Sequence, residues 1–168
     1  MDPLYEPVRV RAADERDVEA IRAIRNDAIE HSTAVWSSQT VTAEECRDWA
    51  TEHLARGALL VAEVDGEVVG YASWARWRPK EGYRFSAEDS VYVLAGHQGN
   101  GVGRALLEAL IAAAREGGCH VLVADIEAGN TASIGLHESL GFERVGTLRE
   151  VGTKFGRWLD LTILQLRL

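Results

Sequence analysis

The sequence predicts an α/β domain on a mixed sheet, and three observations carry that prediction. Apolar runs of strand length alternate with segments whose apolar residues recur at helical spacing. Asp65-Gly66 joins two β-rich runs, as a tight hairpin turn requires, so part of the sheet is antiparallel. The order is a strand, two helices, three strands, a helix, a strand, a helix and one or two closing strands, which excludes a sheet that is parallel throughout. With 168 residues, 46% of them hydrophobic, the chain suits one domain over 1–168 with a sizeable core.

"PVRVR" reads as a short first strand. In "AADERDVEAIRAIRNDAIEHS", Val18, Ile21, Ile24 and Ala28 share a helix face, with Asp14 as N-cap and acids in the first turn. Residues 33–40, "TAVWSSQT", read as a loop. "TAEECRDWATEHLAR" is a second helix, with Thr42 and Glu45 spaced as a capping box and Gly57 as its stop. "ALLVAEVDGEVVGYASWARW" supplies the hairpin, "RPKEGYRFSAED" reads as a polar, aromatic loop, and "SVYVL" is a short buried strand.

A helix from about Gly101 buries Val102, Ala105, Leu106, Ala109, Leu110 and Ala113 and stops at Gly117-Gly118. "HVLVADI" is a strand, and "NTASIGLHESLGF" is a short helix capped by Asn130 and ended by Gly141. "RWLDLTILQLRL" closes the sheet. The chain has no internal repeat, low-complexity segment or linker.

Acids outnumber Lys and Arg 26 to 18, a net charge of −8, which argues against a nucleic-acid or anionic-membrane surface. No apolar run approaches the roughly 18 residues of a membrane span, and "MDPLYEPVRV" has neither the basic start nor the apolar core of a signal peptide. Cys46 and Cys119 form no disulfide framework and have no companions at metal-ligand spacing. The expectation is a cytoplasmic protein without a metal.

An anionic ligand therefore needs a local site, and "HQGNGVGRALLEALI", residues 97–111, offers one. Unpaired N–H groups at a helix start attract phosphate where side chains keep clear, as Gly99, Gly101 and Gly103 would. Between Ser90 and Leu107 the only side chains that charge near neutral pH are His97 and Arg104. A Walker loop would need Lys-Ser or Lys-Thr after Gly103, where Arg104-Ala105 stand, and a dinucleotide fingerprint begun at Gly99 would need glycine at 104. Both are excluded.

"SVYVLAGHQGNGVGRALLEAL" followed by "NTASIGLHESLGF" resembles the acetyl-CoA site of the GNAT N-acetyltransferase superfamily. Gln98, Gly101 and Gly103 match its Q/R-x-x-G-x-G/A loop. The likeness covers nearly the whole chain, and "TAVW", "WRPKEGYRFSAEDSVYV" and "GTKFGRWLDLT" resemble its phosphinothricin and methionine sulfoximine acetyltransferase branch. The resemblance implies a mixed, mostly antiparallel central sheet flanked by helices. It implies acetyl-CoA as co-substrate, bound by Tyr92, Val93, Gln98, Gly99, Asn100, Gly101, Val102, Gly103, Arg104, Asn130 and Ser133.

Acetyl transfer to an amine needs a neutral amine, a polarised thioester carbonyl and a proton for the leaving thiolate. Glu88, at the entrance of the "SVYV" strand, suits the base, though a solvated loop acid looks the same in sequence. A backbone N–H freed by a bulge in "VYVL" would polarise the carbonyl, and the family match selects Val93. His137 stands where many relatives place a tyrosine acid; an imidazole relays protons near neutral pH, and a lone helical histidine is also often structural. Asn130 serves equally as an N-cap.

For an acceptor carboxylate, Arg78 and Arg84 are the nearest arginine forks in sequence, unless they pair with Glu81 or Asp89. Tyr83, Phe85, Trp77, Val35 and Trp36 suit pocket walls. The resemblance further implies a homodimer in which "GTKFGRW" from the partner approaches the acceptor site, with Lys154 and Phe155 reaching across to it. The expected acceptor is a small amino-acid analogue such as phosphinothricin, methionine sulfoximine or methionine sulfone. The alternatives are another amine, such as a polyamine or protein N-terminus, or a non-catalytic acyl-CoA sensor.

Overall fold

The computed structural model describes residues 7–168, so the first six residues of the segment tested for a signal peptide lie outside it. Strands β1 (Arg9–Ala12), β2 (Leu59–Val64), β3 (Glu67–Arg76), β4 (Ser86–Val93), β5 (Val121–Glu127), β6 (Glu143–Lys154) and β7 (Arg157–Arg167) form one sheet in the order β1-β2-β3-β4-β5-β7-β6. Neighbouring strands run antiparallel except β4 and β5, which are parallel. Helices α1 (Val18–His31) and α2 (Ala43–Ala55) cover one face, α3 (Val102–Glu116) covers the other, and α4 (Thr131–Ser139) lies beside α3.

Because both faces are covered, β2 reads as an unbroken apolar run, "LLVA". Leu59 and Val61 pack with Ile21, Ile24, Cys46 and Tyr71, while Leu60 and Ala62 pack with Leu106, Leu110 and Leu164. Local signals agree with the global fold. Thr42 and Glu45 close their capping box, and Asp65 and Gly66 turn the hairpin with φ of 53° and 78°. Asp14 does cap, though it caps a 3-10 turn at Glu15–Asp17 that leads into α1.

Three details differ from the sequence reading. β4 begins at Ser86, so "SAED" is strand rather than loop, and Ala87 pairs with Leu122 in the sheet interior. The buried face of α3 includes Leu107 and Ala114, while Ala105, Ala109 and Ala113 are half-buried. β6 is a full edge strand of 12 residues, exposed along nearly all its length, which is why "ERVGTLREVGTK" shows no clean alternation.

Candidate active site

β4 and β5 pair only from Ser86–Glu88 to Val121–Val123 and then part. The β3–β4 register is continuous from Arg76↔Ala87 to Gly70↔Val93, so the expected bulge is absent. The parting strands achieve what the bulge was meant to do. Leu94 N–H donates to Val69 O at 2.8 Å, and antiparallel alternation then turns the Val93 N–H away from β3, toward the gap.

Beyond the gap, the loop enters α3 through Gly101, whose φ of 82° is left-handed and whose missing Cβ leaves open space. α3 has neither a side-chain cap nor an acid in its first turn, whereas α2 and α4 are side-chain capped. Its first N–H groups therefore remain available to an anion. Gly99 has the same open, left-handed geometry, but Gly103 does not: a Cβ there would meet Leu136 and Val93 at 3.4 and 3.7 Å. Gly103 serves close packing of α3 on α4 and β4 rather than ligand clearance.

Gln98 and Asn100 sit on the exposed loop, with Gln98 Nε2 making a long hydrogen bond of 3.4 Å to Val93 O. Val102 is buried beneath the first turn. Arg104 pairs with Glu108 at 2.9 Å and reaches Ser139 Oγ at 3.2 Å. Asn130 is the N-cap of α4, its Oδ1 accepting from Ser133 N–H at 3.2 Å. Tyr92, assigned in sequence to the acetyl-CoA side, turns its ring instead to the other face of the sheet, against Tyr71.

On that face lies a cavity of about 160 Å³, lined in part by Glu88, Arg25, Val35, His53, Ser73 and Tyr92. Glu88 enters it from β4. Burial, then the negative charges of Asp125 and Asp89, push its carboxyl up to about 7. Near neutral pH it can therefore both lose and take a proton. On β5, Asp125 keeps a buried Oδ1 without a hydrogen-bond partner; burial raises its carboxyl and nearby Arg78 opposes that rise.

His137 sits in a different environment from an open proton relay. It is 3% exposed, its Nδ1 lies 2.8 Å from Ser133 O and its Nε2 lies 2.9 Å from Asp89 Oδ2. Both partners accept, so both ring nitrogens carry protons. Burial alone would depress the imidazole, but the Asp89 carboxylate and the Ser133 carbonyl outweigh it and hold its pKa above the ordinary value. The pair ties β4 to α4 one residue from Glu88.

The expected acceptor-binding residues divide. Arg78 and Arg84 are exposed and stack on Trp77 and Phe85 at 4.5 Å each, and Arg84 also donates to Glu81 O. Tyr83 packs edge-on against Trp77, so these residues form an exposed stacked cluster rather than a buried clamp. Val35 lines the cavity, but Trp36 turns away and lies on Gly152, where any Cβ would overlap its ring.

Lys154 is 7% exposed, and its Nζ donates to Ile29, Ser32 and Val35 carbonyls at 2.6 Å each. It is committed to the end of α1 and the Val35 loop in its own chain, which corrects the expectation that it reaches an acceptor site directly. Phe155, at the β6–β7 turn, is 57% exposed. Lys154→Met strands three carbonyls; the expected loss is on the order of 2 kcal/mol in denaturant melts, with a raised acceptor KM and an unchanged acetyl-CoA KM.

Residues 21–142 match the acetyltransferase (GNAT) family model. The chain belongs to the GNAT acetyltransferase family. The L-methionine sulfoximine/L-methionine sulfone acetyltransferase of Pseudomonas aeruginosa is 48% identical over 161 residues, 95% of this chain and 94% of that protein. The phosphinothricin N-acetyltransferase of Alcaligenes faecalis is 41% identical over 172 residues, 95% of this chain and 87% of that protein. The structure of an acetyltransferase from Salmonella typhimurium with its cofactor acetyl-CoA superposes with a TM-score of 0.93 at 47% identity, covering 96% of this chain and 94% of that one.

In this GNAT acetyltransferase, sequence reasoning missed Arg25, His53, Asp125 and Gly152. Arg25 and His53 lie on helices distant in sequence from Glu88, and their spacing there reads only as amphipathic. Asp125 had a detectable signal, an acid interrupting the apolar strand "VLVADI". Among the described residues no group of three or more His, Cys, Asp or Glu is arranged to hold a metal, and no helix is long and apolar enough to cross a membrane.

Proposed function

We propose that this GNAT acetyltransferase transfers the acetyl group of acetyl-CoA to the α-amine of a small amino-acid analogue of the methionine sulfoximine, methionine sulfone or phosphinothricin type. The observation that carries the reading is Glu88, a carboxyl held at about 7 in a cavity beside the parted strands. The names of the relatives above supply the acceptor class.

Acetyl-CoA supplies an activated acyl thioester, and the uncapped start of α3 fits its pyrophosphate. The N–H groups of Val102, Gly103 and Arg104 face that anion, with Gly99 and Gly101 keeping side chains away and Gln98, Asn100, Asn130 and Ser133 at the margins. The Val93 N–H is turned to donate to the thioester oxygen. Glu88 takes the ammonium proton from the acceptor, leaving the amine nucleophilic. His137, with both nitrogens bonded, braces β4 beside Glu88.

The continuous sheet supports a single domain over 1–168, and the free thiols of Cys46 and Cys119 fit a cytoplasmic setting. The β6–β7 hairpin exposes Val145, Leu148, Val151, Phe155 and Trp158, the last at 69%, which supports a homodimer through this edge. The double variant Leu148→Glu, Trp158→Glu is expected to sediment as a monomer. Sedimentation identical to wild type would remove this edge from the interface.

Mass spectrometry of the products from acetyl-CoA and methionine sulfoximine tests the function. The expected product carries the acetyl group on the α-nitrogen. Acetylation of spermidine or a peptide N-terminus in its place overturns the acceptor assignment, and acetyl-CoA binding without any product favours a sensor.

A further inference from the structure

Arg25 is half-buried on α1 and lines the cavity that Glu88 enters. The other half-buried arginines of the described residues are paired: Arg11 with Asp17 and Glu63, and Arg22 with Glu19. Arg25 has no carboxylate partner among the described residues and lies over the Trp49 ring, its Cζ 5.2 Å from the centroid. A partly desolvated guanidinium keeps five donors that the protein leaves for another acceptor.

Arg25 and Glu88 make no ion pair with each other. The Tyr92 phenol is raised mainly by burial, with Arg25 pulling it down and Glu88 pushing it up, whereas Arg25 is not among the groups that shift Glu88. Tyr92 therefore lies in the field of both groups. Of the residues lining the cavity, Arg25 alone carries a permanent positive charge. His53 does not compete: burial depresses its imidazole, and its Nδ1 is tied to Trp49 O at 2.8 Å.

We infer that Arg25 anchors an oxygen-bearing group of the acceptor, its carboxylate or its side-chain oxo group, while the acceptor amine lies at Glu88. The inference rests on the proposed acceptor class and gives it a recognition element inside the cavity, separate from the exposed Arg78 and Arg84. Trp49, held under the guanidinium, limits Arg25 to a narrow range of orientations.

The test is steady-state kinetics of wild type, Arg25→Met and Arg25→Lys at saturating acetyl-CoA, with methionine sulfoximine, its decarboxylated amine and methionine as acceptors. Calorimetric titration of methionine sulfoximine into each protein gives a readout independent of turnover. Arg25→Met should raise the acceptor KM and weaken binding by roughly 10- to 100-fold, the strength of a charge-assisted pair, with kcat changed little. The acetyl-CoA KM and thermal midpoint should hold, and Arg25→Lys should recover part of the loss.

If the carboxylate is held, wild type discriminates against the decarboxylated amine and Arg25→Met does not. If the oxo group is held, the discrimination lost is that against methionine. Unchanged acceptor KM and binding in Arg25→Met overturn the assignment. Wild-type turnover confined to ordinary amino acids would sink the acceptor class alone, with Arg25 read on those substrates; turnover confined to spermidine would sink both.

Discussion

Glu88→Gln lowers kcat/KM for the amine acceptor by about 10²- to 10⁴-fold, the usual contribution of a general base. In the wild-type enzyme kcat/KM rises through about pH 7, because the ionised carboxylate is the active form and burial with Asp125 and Asp89 has pushed it to about 7. The glutamine variant loses that rise. His53 also lines the cavity, but burial depresses its imidazole, so it does not account for that rise.

The same raised carboxyl has a consequence for stability. The folded state retains a proton that the unfolded chain has already released, so stability falls as pH rises from the ordinary glutamate range through about 7. Glu88→Gln removes that penalty and should melt higher than wild type above pH 7. An inactive yet more stable variant is the signature of a functional buried acid. Full kcat/KM in Glu88→Gln across pH would remove Glu88 from the base role.

Asp89→Ala is expected to cause the largest loss of stability. It removes one member of a pair whose side chains are each 4% exposed, leaving His137 with a buried proton and no counter-charge. Breaking such a pair costs about 3–5 kcal/mol. His137 is raised in the folded state, so the pair's contribution is complete below the ordinary histidine value and is lost as pH rises through the folded value. The destabilisation in denaturant melts should therefore be greatest at acid pH and shrink toward alkaline pH. Adding His137→Leu to Asp89→Ala should recover stability, and strict additivity would show that the two residues do not act as a pair.

Much of the fold was legible because local and global preferences agree. Asp65-Gly66, the Thr42/Glu45 box, the Asn130 cap and the periodic face of α3 each act within a few residues. What escaped depends on long-range pairing. "SAED" is strand because β3 and β5 flank it, and Glu88 then faces the cavity while Asp89 meets His137, neither of which a local pattern reveals. β6 is an edge whose exposed apolar residues do not alternate against a core.

For the site, the glycine loop, Glu88 and Asn130 were legible in local sequence, whereas adjacency along the chain drew attention to arginines that the structure leaves exposed. Arg78 and Arg84 shortly precede Glu88 along the chain and lie exposed, whereas Arg25 arrives from α1, more than sixty positions earlier, and lines the cavity. Lys154 carried a similar trap: the resemblance sends it to an acceptor site, yet the topology brings three carbonyls of its own chain to it.

The most direct measurement is thiol release from acetyl-CoA by the purified protein against a panel of methionine sulfoximine, methionine sulfone, phosphinothricin, common amino acids, spermidine and a peptide. The account predicts that kcat/KM is highest for the sulfoximine, sulfone or phosphinothricin, and that it rises through about pH 7 with Glu88. A preference for spermidine or the peptide, or no thiol release with any acceptor, would contradict it.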